Sequence, residues 1–311
     1  MKITSIWALS LSTIILSCNS GKNSTSTIAK TKQDTPASQI DFLKEYRLTS
    51  AEFGSQTTVS VSNTMRIMRT NALPNHATGT FPNEGNPNTI SAQNKQYTFP
   101  LKPKFSGESK WAREPGIAVN GVKFEPETAE RFICESGEVY KIEAIQDLVD
   151  LGLDHNHAHV QPTGAYHYHG APTGLIKQLD KGEDIILIGF AKDGFPMYYS
   201  KSGKYKPSYV LSEAIRTGEI CGYRNPKQHI EQSLSNTHPD GTFVSDWTYV
   251  PGQGQLDECN GIEHNGQYAY FVTDEYPYVG RCLKGVFSEK HPPHGRPPGR
   301  PHHHGPSSAR N

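Results

Sequence analysis

The segment from Asp154 to Gly170 most narrowly limits how this chain can fold. It reads Asp-His-Asn-His-Ala-His-Val-Gln-Pro-Thr-Gly-Ala-Tyr-His-Tyr-His-Gly, with histidines at every second position on both sides of a Pro-Thr-Gly break. Successive side chains of a β-strand point to opposite faces, so each half is predicted to be a strand with its histidines on one face. Pro162 and Gly164 favour a turn, because proline fixes φ and glycine can adopt a positive φ. A hairpin with converging histidines is therefore predicted.

The histidines of this hairpin are candidate metal ligands. They are His155, His157, His159, His167 and His169. Neutral imidazole nitrogen binds both zinc and copper, and copper has the higher intrinsic affinity for nitrogen sites. A hydrogen-bonded histidine–tyrosine network and a proton relay are the alternatives. Tyr166 and Tyr168 are predicted to lie on the opposite face, where packing in the core is the simpler role.

Composition favours a turn-rich, mainly β protein. The 311 residues include 28 glycines and 22 prolines, and apolar residues make up 34%. Apolar runs and turn pairs predict strands within 57–61, 65–68, 116–124, 139–145, 184–190, 242–250 and 268–273. One short helix is expected over 211–217, with Ser212 as a possible cap. We therefore expect a single β-rich domain over residues 45–288, sandwich- or barrel-like, with few short helices.

The N-terminus has the pattern of an export signal. A lysine at position 2 precedes an apolar run over 6–16, which is too short to cross a membrane as a helix. The run ends in Leu-Ser-Cys and resembles a bacterial lipobox, so we expect residues 1–17 to be removed and Cys18 to be lipidated. An ordinary secretory signal cleaved nearby is the alternative. Either way we expect the protein in the bacterial cell envelope, with the membrane as its partner through the anchor.

Two polar segments flank the expected domain. Residues 18–44 are rich in serine, threonine, asparagine and lysine, a composition that predicts a disordered tether. Residues 289–311 combine five histidines with dense proline, which predicts a disordered tail that could also bind metal. The whole chain has 31 basic and 31 acidic residues, so nothing indicates the basic face that nucleic-acid binding requires.

The remaining cysteines indicate structural bridges. They are Cys134, Cys221, Cys259 and Cys282. An even number in an exported chain predicts two disulfides, for which three pairings are possible. We expect Cys259–Cys282 first, because a strand and turn between these cysteines could fold back. None of the spacings resembles a zinc knuckle.

Several motifs carry a family resemblance. Tyr166-His167-Tyr168-His169 resembles the signature of the YHYH domain family of exported bacterial proteins. Segments similar to others of that family occur in the same order at 62–93, 118–122, 189–198, 256–261, 268–271 and 276–278. The resemblance covers roughly residues 55–285. It implies an exported location and a site, and it does not imply a reaction.

The family motifs also contain candidates for residues that bind beside the histidines or orient them. They are His76, Asp193, Asp257 and Glu258. A carboxylate next to histidine ligands can bind the ion, orient an imidazole or act as a general base. Asp193 could instead cap the turn in which it lies. The sequence assigns no catalytic residue.

Three functions fit these features. The first is an exported, lipid-anchored protein that binds copper or zinc. The second is a metal-dependent hydrolase or oxidoreductase that uses the same site, since a bound ion can activate water or support oxygen chemistry. The third is a structural or adhesion domain in which histidines and tyrosines form a network without metal. An open coordination position beside a cleft would favour the enzyme.

Overall fold

The computed structural model describes residues 35–288. Strands dominate this part of the chain, and it contains one α-helix, so the expected mainly β class with few short helices is confirmed. No helix between residues 35 and 288 has the length and apolar character needed to cross a membrane. The predicted signal peptide, Cys18, the first part of the tether and the histidine- and proline-rich tail lie outside the described residues.

Twenty strands follow one another along residues 35–288, and one α-helix lies between the eleventh and the twelfth. In order, the strands are β1 (Tyr46–Ser50), β2 (Ser55–Val61), β3 (Met65–Thr70), β4 (Lys95–Pro100), β5 (Phe105–Trp111), β6 (Gly116–Ala118), β7 (Lys123–Phe124), β8 (Glu127–Cys134), β9 (Val139–Glu143), β10 (Ala158–Val160), β11 (Tyr166–Tyr168), β12 (Ile185–Ala191), β13 (Pro196–Ser200), β14 (Tyr209–Leu211), β15 (Cys221–Arg224), β16 (His229–Gln232), β17 (Trp247–Tyr249), β18 (Gly261–His264), β19 (Gln267–Val272) and β20 (Cys282–Gly285). The helix α1 spans Thr173–Leu179, and short 3₁₀ turns occupy Ala37–Gln39 and Val244–Asp246.

An eight-stranded mixed sheet organises the fold. Its order is β10-β11-β7-β6-β12-β13-β19-β18, which places the histidine strands β10 and β11 at one edge. Two of its neighbouring pairs, β11 with β7 and β13 with β19, are parallel, and the others are antiparallel. The main hydrophobic core includes side chains of this sheet, such as Ile117, Ile188 and Tyr168, together with Leu175 of α1.

Smaller sheets surround the central one. Strands β1 to β4 form a sequential four-stranded sheet, and β16-β15-β8-β9 forms another. The second of these encloses a separate hydrophobic cluster that contains Phe132, Ile142 and Phe243. Two-stranded ladders join β14 to β17 and β5 to β20. The structure contains most of the predicted strands, as β2, β3, β9, β12 and β19. The Asn120-Gly121 turn joins β6 to β7 as expected.

The folded domain begins several residues before residue 45, so the boundary predicted between the tether and the domain is wrong. Ile40 and Phe42 are buried in the main core, although the sequence places the domain start at residue 45. The Phe42 ring contacts the Tyr46 ring edge-on at 4.8 Å between centroids. The buried Arg66 guanidinium donates hydrogen bonds to the carbonyls of Phe42 and Leu43. Burial of these two apolar side chains thus stabilises the packing of the polar segment against the domain.

The helix predicted over 211–217 is also wrong, since residues 212–218 have no regular structure. The Ser212 hydroxyl accepts a hydrogen bond from the Ala214 amide, and the Arg216 amide donates to the carbonyl of Thr237. Both interactions compete with a helical ladder. The helix that forms instead is α1, and its Gly174 amide donates to the side chain of Asn156.

The four described cysteines form two bridges, Cys134–Cys221 and Cys259–Cys282. The second is the pairing expected from sequence. The first joins residues 87 positions apart that face each other on β8 and β15. The structure thus selects one of the three possible connectivities.

We expect no free thiol in the described domain, because the two bridges pair all four of its cysteines. Thiol titration of the denatured, unreduced protein should detect fewer than one reactive group per chain. Titration after reduction, which should reveal four thiols of the described domain, serves as the control. Two or more reactive thiols before reduction would contradict the disulfide assignment.

Candidate metal centre

The histidine hairpin forms as the sequence predicts. Strands β10 and β11 pair antiparallel, with His159 opposite His167. Between them the Gly164 amide donates to the Gln161 carbonyl at 2.8 Å, and Gly164 has φ +81°. A Cβ on Gly164 would lie 1.9 Å from the Ser91 hydroxyl, so this turn requires glycine both for its backbone angle and for space.

Three of the five candidate histidines meet at one point. The ring centroids of His159, His167 and His169 are separated by 4.7–4.8 Å, which makes them a nearly equilateral triangle. One nitrogen from each lies within 4.8 Å of the other two. His159 and His167 face each other across the ladder, and His169 follows β11 directly. We call these three residues the histidine triad.

His155 and His157 do not join the triad, which corrects the prediction that three histidines share one strand face. The strand begins only at Ala158. Before it the chain turns: the Asn156 amide donates to the Asp154 carboxylate at 2.8 Å, and His157 has φ +51°. His155 is consequently exposed, and His157 directs Nδ1 to the carbonyl of Ala171. Aspartate and asparagine favour such turns, so the Asp-His-Asn sequence contained this information.

Hydrogen bonds from the second ring nitrogens fix the tautomers of two triad members. His159 Nδ1 lies 2.8 Å from the Leu151 carbonyl, and His167 Nδ1 lies 3.3 Å from the Ala165 carbonyl. Because a carbonyl only accepts, both Nδ1 atoms carry hydrogen, and each Nε2 keeps a free lone pair. Main-chain carbonyls therefore orient these imidazoles, as the second partners of metal-bound histidines commonly do.

The contacts of the two His169 ring nitrogens are best explained by a bound metal ion. His169 Nε2 lies 3.1 Å from Nε2 of His159. The buried Nδ1 of His169 makes no hydrogen bond of ordinary geometry, although the Pro126 carbonyl lies close enough to oppose the lowering of the ring's pKa by burial. Two nitrogens bound to one zinc ion at about 2.0–2.1 Å would lie roughly 3.1–3.4 Å apart. The observed separation fits that geometry. Without an ion, a hydrogen on His169 Nε2 would leave Nδ1 as a buried acceptor without a donor, which is unfavourable.

The triad is held in its neutral form. Burial lowers the pKa of His159, although its hydrogen bond to Leu151 opposes the shift. Burial also places the pKa values of His167 and His169 well below the ordinary histidine value, and neighbouring imidazoles lower them further. Neutral imidazole is the form that binds a metal. At pH 7 the three rings are therefore ready to act as ligands.

The triad lines a cleft of about 660 Å³. Glu125 and Glu127 line the same cleft, as does the exposed Arg113. The buried Glu125 carboxylate is paired with Lys123 at 2.6 Å and with Arg113 at 2.7 Å. It also accepts a hydrogen bond from Gln161. Two cations and the Gln161 side chain therefore already occupy the Glu125 carboxylate.

The tyrosines of the motif point away from the triad into the core, as expected. Tyr168 is fully buried and its hydroxyl lies 2.7 Å from Nε2 of His76 and 2.9 Å from the Asn120 amide nitrogen. Tyr166 donates to the Asp154 carboxylate at 2.7 Å. These bonds attach β11 to the loop around His76 and to the turn before β10. His76 thus supports the strand that carries two triad histidines, and its own hydrogen bonds do not reach the triad.

The three acidic candidates make their contacts elsewhere. Asp193 accepts hydrogen bonds from the Tyr270 hydroxyl and the Gly285 amide. Burial raises the pKa of Asp193, while the Tyr270 bond partly opposes this. Asp257 accepts from two amides of its own turn and from Tyr268. Glu258 bonds Ser109 and Lys284. In the described part of the chain, none of these bonds includes a triad histidine.

Comparison with known proteins identifies the family. A family model described as "YHYH protein" matches residues 96–285, which is more than half of the chain and contains the whole triad. The chain belongs to the YHYH family. No curated protein and no solved structure matches it. The expected family is therefore confirmed.

The alternation rule alone could not identify every residue that builds the site of this YHYH protein. Asn120, Asn156 and Leu151 support the hairpin through hydrogen bonds to Tyr168, to α1 and to His159. Asn120 lies in a turn motif visible in the sequence, but its partner is 48 residues away. Leu151 acts through its carbonyl, which every residue possesses. Its role could only be found in three dimensions.

Proposed function

We propose that this YHYH protein is an exported metal-binding protein whose histidine triad holds one copper or zinc ion. The observation that carries the proposal is the convergence of three neutral imidazoles with one nitrogen each within 4.8 Å. The carbonyls of Leu151 and Ala165 favour the tautomers that leave Nε2 free. A set of three nitrogens without sulfur suits both zinc and copper, and the higher nitrogen affinity of copper makes it a strong competitor.

A network without metal accounts for fewer observations. A hydrogen bond from His169 Nε2 to His159 explains their 3.1 Å contact, but it leaves His169 Nδ1 buried without a donor and near the Pro126 carbonyl, which is itself an acceptor. Without an ion, few interactions would offset the desolvation of three imidazoles, since an unpaired buried polar nitrogen is destabilising by about 1–3 kcal/mol. An ion satisfies three lone pairs at once.

Elemental analysis tests this proposal. The protein should be purified without a metal-affinity step, and the five tail histidines should be replaced by alanine so that the tail cannot contribute. About one copper or zinc ion per chain is expected after dialysis. Protein that contains no metal, and takes up none from dilute copper or zinc, would reject the proposal.

A metal-dependent enzyme is the second candidate, and the cleft favours it. Two of the three ligands are almost fully buried, yet all three line a space of about 660 Å³. Three histidine ligands with a fourth position open to water are typical of catalytic zinc. Cobalt-substituted protein tests the open position: azide should change its visible spectrum. An unchanged spectrum would indicate a closed, non-catalytic site.

Lipid anchoring remains part of the proposal. Leu-Ser-Cys after a short apolar run supports lipidation of Cys18, and the two disulfides are consistent with export. We expect the wild type to fractionate with membranes and Cys18→Ala to shift to the soluble fraction with altered processing. Ser24→Ala, which leaves the apolar run and the Leu-Ser-Cys motif intact, is the control. Unchanged processing and fractionation of Cys18→Ala would contradict the anchor.

Metal affinity should resist mild acid. Protons compete with the ion for imidazole, so affinity falls as pH falls through the pKa values of the ligands. Burial lowers all three of these pKa values, so the loss should begin below the ordinary value near 6.5. Chelator competition at pH 7.5, 6.5 and 5.5 measures this, in the variant without tail histidines. Affinity that already falls steeply above pH 6.5 would show that the ligands are solvated histidines.

A further inference from the structure

A second concave surface lies at the other end of β5 from the metal cleft. It has a volume of about 700 Å³, and its aromatic residues are Phe105, Phe195, Tyr249 and Tyr268. The Tyr268 ring contacts the rings of Phe105 at 4.7 Å and Phe195 at 5.4 Å between centroids. Phe105 remains 55% exposed. We call this surface the aromatic groove.

The aromatic groove is acidic. Its lining includes Asp257 and Glu263 and contains no lysine, arginine or histidine. Lys284 pairs with Asp257 at 3.0 Å, so that carboxylate is already compensated. Glu263 is exposed and makes no ion pair with another residue of the described 35–288 region. A ligand with both apolar rings and a cation would therefore complement this surface.

The described chain ends beside the aromatic groove. Gly285 pairs with Phe105 in the β5–β20 ladder, and the Val286 amide donates to the carbonyl of Lys104 at 2.9 Å. The chain after β20 therefore lies beside the end of β5 that lines the groove. From Ser288, the eight steps to Arg296 can span about 26 Å when extended.

The sequence that follows has the complementary chemistry. Residues 296–301 read Arg-Pro-Pro-Gly-Arg-Pro, which contains a Pro-x-x-Pro pattern from Pro298 to Pro301, with Arg300 inside the pattern and Arg296 two positions before it. Proline-rich segments of this kind bind aromatic-lined grooves because the polyproline II conformation loses little entropy on binding. We propose that residues 296–301 of this chain bind in the aromatic groove, with an arginine facing Glu263. Covalent attachment gives the segment a high local concentration, so weak contacts suffice.

Photo-cross-linking in the full-length chain tests this proposal. p-Benzoylphenylalanine replaces Phe105, whose side chain is more than half exposed, and peptide mapping locates the adduct. We expect cross-links to residues 289–311 whose yield does not change on dilution. The same probe at the exposed Ile133, on β8, is the control and should give no tail adduct. Absence of tail adducts from position 105, or adducts only between two chains, would overturn the proposal.

Two sets of variants separate specific docking from mere proximity. Pro298→Ala with Pro301→Ala should reduce the adduct to the level of the Ile133 control, and an undiminished yield would overturn the proposal. Glu263→Arg should also lose the adduct, because it repels the basic segment. Adding Arg296→Glu and Arg300→Glu to Glu263→Arg should restore it. Failure of this charge reversal to restore the adduct would show that Glu263 does not receive the tail.

Discussion

His167→Ala combined with His169→Ala is expected to lower bound metal from about one ion per chain to near zero. The double variant leaves His159 as the last imidazole of the triad. Loss of an orienting partner outside the ligand set typically costs 10–100-fold in affinity, so loss of two ligands should cost more than about 100-fold. Elemental analysis and competition with a chelator measure this, in protein whose five tail histidines are alanine.

The control removes the same number of histidines without touching the triad. His155→Ala with His229→Ala changes two exposed residues and should keep the ion. Circular dichroism and thiol titration should show that both double variants retain their β structure and disulfides. Equal metal content in the two double variants would contradict the triad. Loss of metal in the control alone would place the ion outside the triad, at His155 or His229.

Arg281→Met is expected to destabilise the fold by about 3–5 kcal/mol, because it leaves a buried charge without its partner. Arg281 donates two hydrogen bonds to the Glu143 carboxylate, at 2.8 and 2.6 Å, and the two side chains are only 14% and 2% exposed. Burial alone would lower the pKa of Arg281, but the Glu143 charge raises it above the ordinary arginine value. The pair joins the end of β9 to the start of β20. Denaturant unfolding without reductant measures the loss.

Removing both charges should recover much of that stability. Arg281→Met with Glu143→Leu leaves no unpaired charge, and replacement of a buried pair by apolar residues is often close to neutral. Lys44→Met is the surface comparison: its pair with Asp41 is exposed on both sides, and we expect a loss of at most about 1 kcal/mol. A loss for Arg281→Met no larger than that for Lys44→Met would contradict the buried-pair argument.

The two disulfides differ in how well their pairing could be predicted from the sequence. Cys259 and Cys282 are 23 positions apart, and a short fold-back was enough to suggest their pairing. Cys134 and Cys221 are 87 positions apart and meet because β15 pairs with β8. Strand order in a sheet depends on packing over the whole domain, which no local pattern encodes.

The position of the helix also could not be predicted from local sequence. A short apolar pattern predicted a helix at 211–217, but side-chain and backbone partners distant in sequence hold that segment in another conformation. The helix formed at Thr173–Leu179, where Asn156 satisfies an N-terminal amide from outside the segment. Short helices have weak intrinsic stability, so tertiary contacts decide where they form.

The sequence by itself determined the hairpin, its turn and the family of this protein. Alternation, proline and glycine act within a few residues, so the hairpin and its turn could be recognised from local sequence. The turn at Asp-His-Asn has a local signal too, but only the tertiary structure showed that His159, His167 and His169 converge. The Asp154 carboxylate bonds the amides of Asn156 and Gly79, and this turns the chain before β10 can begin. The bond to Gly79 spans 75 residues and fixes the turn that leaves His155 and His157 outside the triad, so no local pattern could reveal that bond.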